Sequence, residues 1–167
     1  EPFGVYFNYE SDANGSYDLS GSNITPSTTY LTPGNHSTKL NVITDKGCSD
    51  TITLPMYVYP KPKPTISVDD PNGCPDHSVV LSAGIIPTSI DHPNSIVSWD
   101  WDVQTDGSID STHVYTGSEQ DTIHYTYGNT SPVASQFYQV TVTATRSDGC
   151  SGSFTTSPTF IEVFAHP

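Results

Sequence analysis

The chain is 167 residues long, about a third hydrophobic, and carries a formal net charge of −13 with only five Lys and Arg. Nucleic-acid backbones are bound by clustered cations that release counterions, so this balance argues against a nucleic-acid partner. No apolar run approaches the roughly 20 residues needed to span a bilayer, so no membrane insertion is expected in this segment.

Thr, Ser, Tyr, Val, Pro and Gly are plentiful, and Ala, Leu, Glu and Lys are scarce. That mixture favours short strands joined by turns over helices. The length suits one large β-domain or two modules of about 100 residues or fewer. The first residue is Glu1 rather than Met, as in a mature or excised fragment.

In chain order, the first strong signal is Phe7-Asn8-Tyr9-Glu10, followed by Gly15-Ser16 and Asp18. Lys39 to Thr44 alternates and closes on Gly47-Cys48-Ser49. Tyr57-Val58-Tyr59 reads as a final strand before Pro60-Lys61-Pro62-Lys63-Pro64, whose alternating prolines fix φ and favour an extended spacer. Strands are then expected over Pro64 to Val68 and Ser78 to Ser82. Trp99-Asp100-Trp101-Asp102 follows, with Asp106-Gly107-Ser108 and Asp110 downstream. The last long strand is predicted over Tyr138 to Thr145. Tyr138, Val140, Val142 and Ala144 share one face and Gln139, Thr141, Thr143 and Thr145 the other, the period of a half-buried strand.

Two of these signals occur twice. Phe7 to Asp18 aligns without gaps with Trp99 to Asp110, and Lys39 to Ser49 with Thr141 to Ser151. Such self-similarity marks an array of one module, here as residues 1–60 and 61–167. The second copy has two strands ahead of its Trp-Asp motif, whereas the first begins almost at the motif. The first copy is therefore expected to lack its N-terminal strands, which upstream chain or another molecule would supply.

Three cysteines is an odd count for a secreted chain. Cys74 and Cys150 lie near module edges, where a bridge would tie the terminal strands together; otherwise all three thiols stay reduced and buried. Cys48 is the counterpart of Cys150, and its own partner would precede Glu1.

Trp99-Asp100-Trp101-Asp102 with Asp106-Gly107 resembles the Trp-Asp-Phe-Gly-Asp-Gly signature of polycystic-kidney-disease (PKD) domains. Thr122 to Tyr127 and Tyr138 to Thr145 are similar to the two late strands of that family. The Gly-Cys-Ser corner with a Cys near the module start resembles PKD-like repeats of large surface adhesins in gliding bacteria that use type IX secretion. The resemblance implies an all-β fold of tandem immunoglobulin-like sandwiches, the first incomplete, at the extracellular cell surface. Phe7-Asn8-Tyr9-Glu10 and Trp101-Asp102-Val103-Gln104-Thr105 depart from the signature.

Asp102, Asp106 and Asp110, four apart along a Gly-containing turn, form a candidate calcium site, since Ca²⁺ takes six to eight oxygens. Some PKD domains bind calcium through these acids together with groups near the module start, where Asp69, Asp70 and Asn72 stand here. The alternative is that these acids cap turns and accept backbone N–H bonds. Asp-(Ser/Thr)-aliphatic or -Thr patterns, O-glycosylated in bacteria of that kind, give the candidates Thr51, Ser111 and Thr122. Asn14, Asn23, Asn35 and Asn129 head formal N-glycosylation sequons. One aromatic of each Trp-Asp or Phe-Asn run is expected in the core, and an exposed Trp partner would stack on a sugar. The six histidines form no close ligand pair, and neither a nucleophile elbow nor a singled-out pair of acids is visible, so no enzyme activity is expected.

The expected function is a structural stalk or adhesin, whose partners are neighbouring repeats, surface glycans or other surface proteins. The rivals are a carbohydrate-binding or spacer module of a secreted hydrolase, and a subunit of a surface filament.

Overall fold

The computed structural model describes residues 5–10, 19–21, 25, 27–87, 94–104, 107–114 and 117–165. All regular elements among them are strands, and no helix long and apolar enough to cross a membrane is present among these residues. The chain divides into two compact units, Glu1–Pro60 and Lys61–Pro167.

The first unit is a four-stranded antiparallel sheet. Its strands are β1 (Val5–Glu10), β2 (Leu19–Gly21), β3 (Gly34–Thr44) and β4 (Ser49–Val58), in the order β2-β1-β3-β4. Strand β4 carries Pro55 within its length, which the ladder tolerates because β4 is an edge strand.

The second unit contains β5 (Pro64–Val68), β6 (Asn72–Gly73), β7 (His77–Ile85), β8 (Ile96–Asp102), β9 (Ser111–Val114), β10 (Gln120–Tyr127), β11 (Gln136–Tyr138), β12 (Thr141–Arg146), β13 (Ser151–Thr155) and β14 (Ile161–Val163). They form sheets β13-β12-β8-β9 and β10-β7-β5, with a small third sheet β11-β14-β6. Val79 and Leu81 of β7 share one buried cluster with Trp99 and Trp101 of β8 and Val142 of β12. Two antiparallel sheets thus close on one core, as in a β-sandwich. The outward faces explain the abundance of Ser and Thr, because cross-strand hydroxyls pair there: Thr141 with Thr155 at 2.8 Å, Thr143 with Ser153 at 2.7 Å, and Ser78 with Thr126 at 2.9 Å.

The strand expected over Tyr138 to Thr145 is divided. Gln136–Tyr138 pairs with β14, and Thr141–Arg146 pairs with β8 and β13. At the break, the Val140 N–H donates to Thr156 Oγ1 at 3.0 Å, and the Thr156 N–H to the Val140 carbonyl at 2.9 Å. Neither backbone group of Val140 is left unsatisfied in the core.

The pairing registers of the two units coincide except at one end of the ladder, where a bulge between Thr145 and Arg146 sets Arg146 opposite Ile96 while its counterpart Thr44 opposes Val5. Tyr9 opposes Leu40, which opposes Ile52; Trp101 opposes Val142, which opposes Phe154. On the other side Leu19 opposes Tyr9, as Ser111 opposes Trp101. The turns match as well. The Gly47 N–H donates to the Thr44 carbonyl and the Thr44 N–H to the Cys48 carbonyl, as Gly149 does to Arg146 and Arg146 to Cys150. Gly47 and Gly149 both need glycine's access to positive φ, at 80° and 84°. Each repeated sequence signal therefore occupies the same ladder position in both units.

The cysteines require a correction. All three are free, with Cys48 and Cys74 exposed and Cys150 partly buried, so the expected Cys74–Cys150 bridge is not present. Topology supplies the reason. Cys74 follows β6, which pairs with β14 beside the start of β12, whereas Cys150 lies beyond the end of β12. A six-residue strand spans about 20 Å, far beyond the roughly 7 Å between Cα atoms that a disulfide tolerates. Burial and the Asp148 carboxylate push the Cys150 thiol up, away from the reactive thiolate.

Candidate functional site

The loop from β8 to β9 carries the sequence-predicted acids. Asp102 ends β8 and is buried, and its Oδ2 accepts the Gly107 N–H at 3.0 Å. Asp110, at the other end of the loop, accepts the Val103 N–H through Oδ2 at 2.8 Å and donates its own N–H to the Trp101 carbonyl at 2.8 Å. The two carboxylates clamp the loop from both ends, each accepting a backbone N–H of the loop. Asp106 lies outside the described residues. Among the described residues no three His, Cys, Asp or Glu side chains cluster as a metal group. Near the module start, Asp69 Oδ1 accepts the N–H groups of Val80 and Asp70, both at 2.8 Å. The Val80 bond is the main reason its carboxyl is held below the usual range.

A second constellation was not anticipated from the sequence. Asp121, at the start of β10, is 4% exposed and holds the Trp101 indole through Oδ2 at 2.7 Å. His113 Nδ1 stands 3.0 Å from the same carboxylate, and His113 Nε2 stands 3.3 Å from Ser111 Oγ. Ser111 and His113 are two apart on β9, so both side chains leave the same face of the strand. The group opens on a shallow hollow lined also by Val103, Ile123 and Tyr125. Its signal in sequence is faint, since the acid comes from a different strand. An arrangement of Ser, His and Asp can transfer a proton from the hydroxyl, but the carboxylate is also committed to the Trp101 indole. That bond makes Asp121 an anchor of the core: a buried charge answered by an imidazole and an indole N–H.

Both tryptophans are fully buried, which corrects the idea that one could stack on a sugar. Trp99 directs its indole N–H to the Ser118 carbonyl at 3.3 Å. Tyr125 and Tyr138 are half-buried around the buried Tyr127, with Gln104 and Gln136 beside them in another shallow hollow, while Phe137, Phe154 and Phe164 are exposed. Tyr127 donates its hydroxyl to the Val103 carbonyl at 2.9 Å, and burial pushes its hydroxyl pKa up.

Of the candidate glycosylation positions, Thr51 and Thr122 are exposed on β4 and β10, while Ser111 is half-buried against His113. Asn129 cannot present its amide to a glycan. It is 4% exposed, donates Nδ2 to the carbonyls of Ala134 and Val163 at 2.9 Å, and accepts the Ser131 N–H at 2.8 Å. Asn35 is exposed on β3, whereas Asn14, Asn23, His92 and His166 lie outside the described residues.

No protein-family model matches the chain, and comparison with curated proteins finds no match.

Proposed function

We propose that the chain is a non-catalytic repeat segment of an extracellular, cell-surface protein, in which immunoglobulin-like modules of the PKD-like kind act as a stalk or adhesive array. The observation that carries the proposal is the agreement of ladder register between the four-stranded sheets of the two units, apart from the bulge at Thr145 and Arg146. Two sequences as different as Phe-Asn-Tyr-Glu and Trp-Asp-Trp-Asp meet their neighbours at the same positions, as repeated units of an array do. The acidic balance and the hydroxyl-covered outer faces suit a solvated exterior. Adhesion partners on this reading are neighbouring repeats, surface glycans or other surface proteins.

A second reading, a carbohydrate-binding or spacer module of a secreted hydrolase, is favoured only by the Tyr125–Tyr138 hollow with its Gln104 and Gln136 amides. Antibodies raised against the chain and applied to intact cells of its source separate surface display from other locations. The proposal predicts labelling of intact cells that external protease removes. Labelling that appears only after lysis would overturn it.

A further inference from the structure

The two cysteines that do not meet within the second unit mark its two ends. Cys150 belongs to the β12–β13 turn, and the incoming chain passes beside that turn, where Lys61 and Pro62 line one hollow with Ser151 and Gly152. Cys74 follows Gly73, whose carbonyl accepts the Phe164 N–H at 2.8 Å as the chain leaves β14. The unit is therefore entered at its Cys150 corner and left beside Cys74. The first unit repeats the entry corner. Cys48 closes the β3–β4 turn, its carbonyl accepts the Thr44 N–H at 2.8 Å, and Thr44 opposes Val5 at the head of β1. Cys48 and Cys74 are both exposed. The spacer between modules is short, since only Tyr59 and Pro60 stand between the end of β4 and Lys61, about 10 Å of backbone at full extension.

We propose that these cysteines staple consecutive modules, the Cys74 position of one forming a disulfide with the Gly-Cys-Ser cysteine of the module that follows it. The inference rests on the array reading, because a chain running from one module into the next is what brings an exit corner to an entry corner. One cysteine at each end suits such a bridge, whereas a bridge inside the module needs both at the same end. Each joint is then closed twice, by the spacer and by sulfur, which limits the bending of a stalk. The chemistry is thiol–disulfide exchange with oxidised glutathione or a protein disulfide, in an oxidising compartment. One cysteine thiolate attacks the oxidant's disulfide and releases a thiolate. The second attacks the mixed disulfide and releases the other. The oxidant takes both electrons, and the two cysteine protons pass to its thiols or to solvent. The first unit's only cysteine is Cys48, so Cys150 has no partner within this chain on the scheme.

The probe is a single polypeptide carrying the 167-residue chain twice in succession, equilibrated with reduced and oxidised glutathione and digested without reduction. Its joint, residues 165–167 followed by 1–4, spans about 25 Å at full extension and lets the two corners meet. One bridge is expected, from Cys74 of the first copy to Cys48 of the second, formed within one molecule at every protein concentration, with both Cys150 thiols free. Cys74→Ser in the first copy should abolish it, and Cys74→Ser in the second copy should leave it intact. Both tryptophans lie in the second unit with Cys74, so unchanged tryptophan emission shows that each variant has folded. A first-copy Cys74 that stays reduced, a bridge to Cys150, or one formed only between separate molecules would each overturn the proposal. The array reading keeps its own test, since the labelling of intact cells does not depend on any bridge.

Discussion

Asp69 is a small side chain with two backbone amides to satisfy, and its electrostatics predict a pH signature. Because its native carboxyl is held low, chiefly by the Val80 N–H, it stabilises the fold above its unfolded pKa, and that contribution is lost as pH falls through the native value. Asp69→Ala should therefore be less stable than the wild type at neutral pH, with the difference fading in strong acid. Denaturant titrations at several pH values measure it, and a pH-independent gap would show that the carboxylate charge is irrelevant. Ser111, His113 and Asp121 call for a different test, since their geometry resembles a nucleophilic relay while Asp121 serves Trp101. An alkyl fluorophosphonate should leave Ser111 unlabelled in the wild type and in His113→Ala alike. Labelling that His113→Ala abolishes would make Ser111 a nucleophile.

Among the elements, β13 is constrained by what passes beside it. A Cβ on Gly152 would stand 2.0 Å from the backbone carbonyl oxygen of Pro62, whereas one on Gly73 would meet the His77 ring, a side chain able to swing away. Gly152→Ala should cost about 1–3 kcal/mol through overpacking, and Gly73→Ala clearly less. Chemical denaturation followed by tryptophan emission reads the difference, and equal costs would mean that the chain around Pro62 yields freely. Much of the all-β character was legible in sequence because alternation and glycine turns are local: Val142 and Ala144 betray their inward face directly. The partners of those strands were not. Cys74 looked like a neighbour of Cys150 because both flank strands, but the path through β5, β6 and β7 carries them to opposite poles. The burial of both tryptophans follows from their two-residue spacing, which places them on one face of β8. The bond from Asp121 to Trp101 joins strands twenty residues apart, a contact that no local pattern encodes.

For the molecule as a whole, the two units share one scheme of strand pairing and differ in what covers it. The second unit closes its sandwich with β10-β7-β5 and buries two indoles, while the first presents Ile52 and Leu54 to solvent. Register equivalence is the central claim, because the repeat reading depends on it. Backbone NMR of the isotope-labelled chain tests it most directly, through cross-strand contacts between paired residues. The account predicts contacts of Tyr9 with Leu40 and Leu40 with Ile52, matched by Trp101 with Val142 and Val142 with Phe154. A first-unit ladder displaced by even one residue would turn Leu40 to the other face and contradict it.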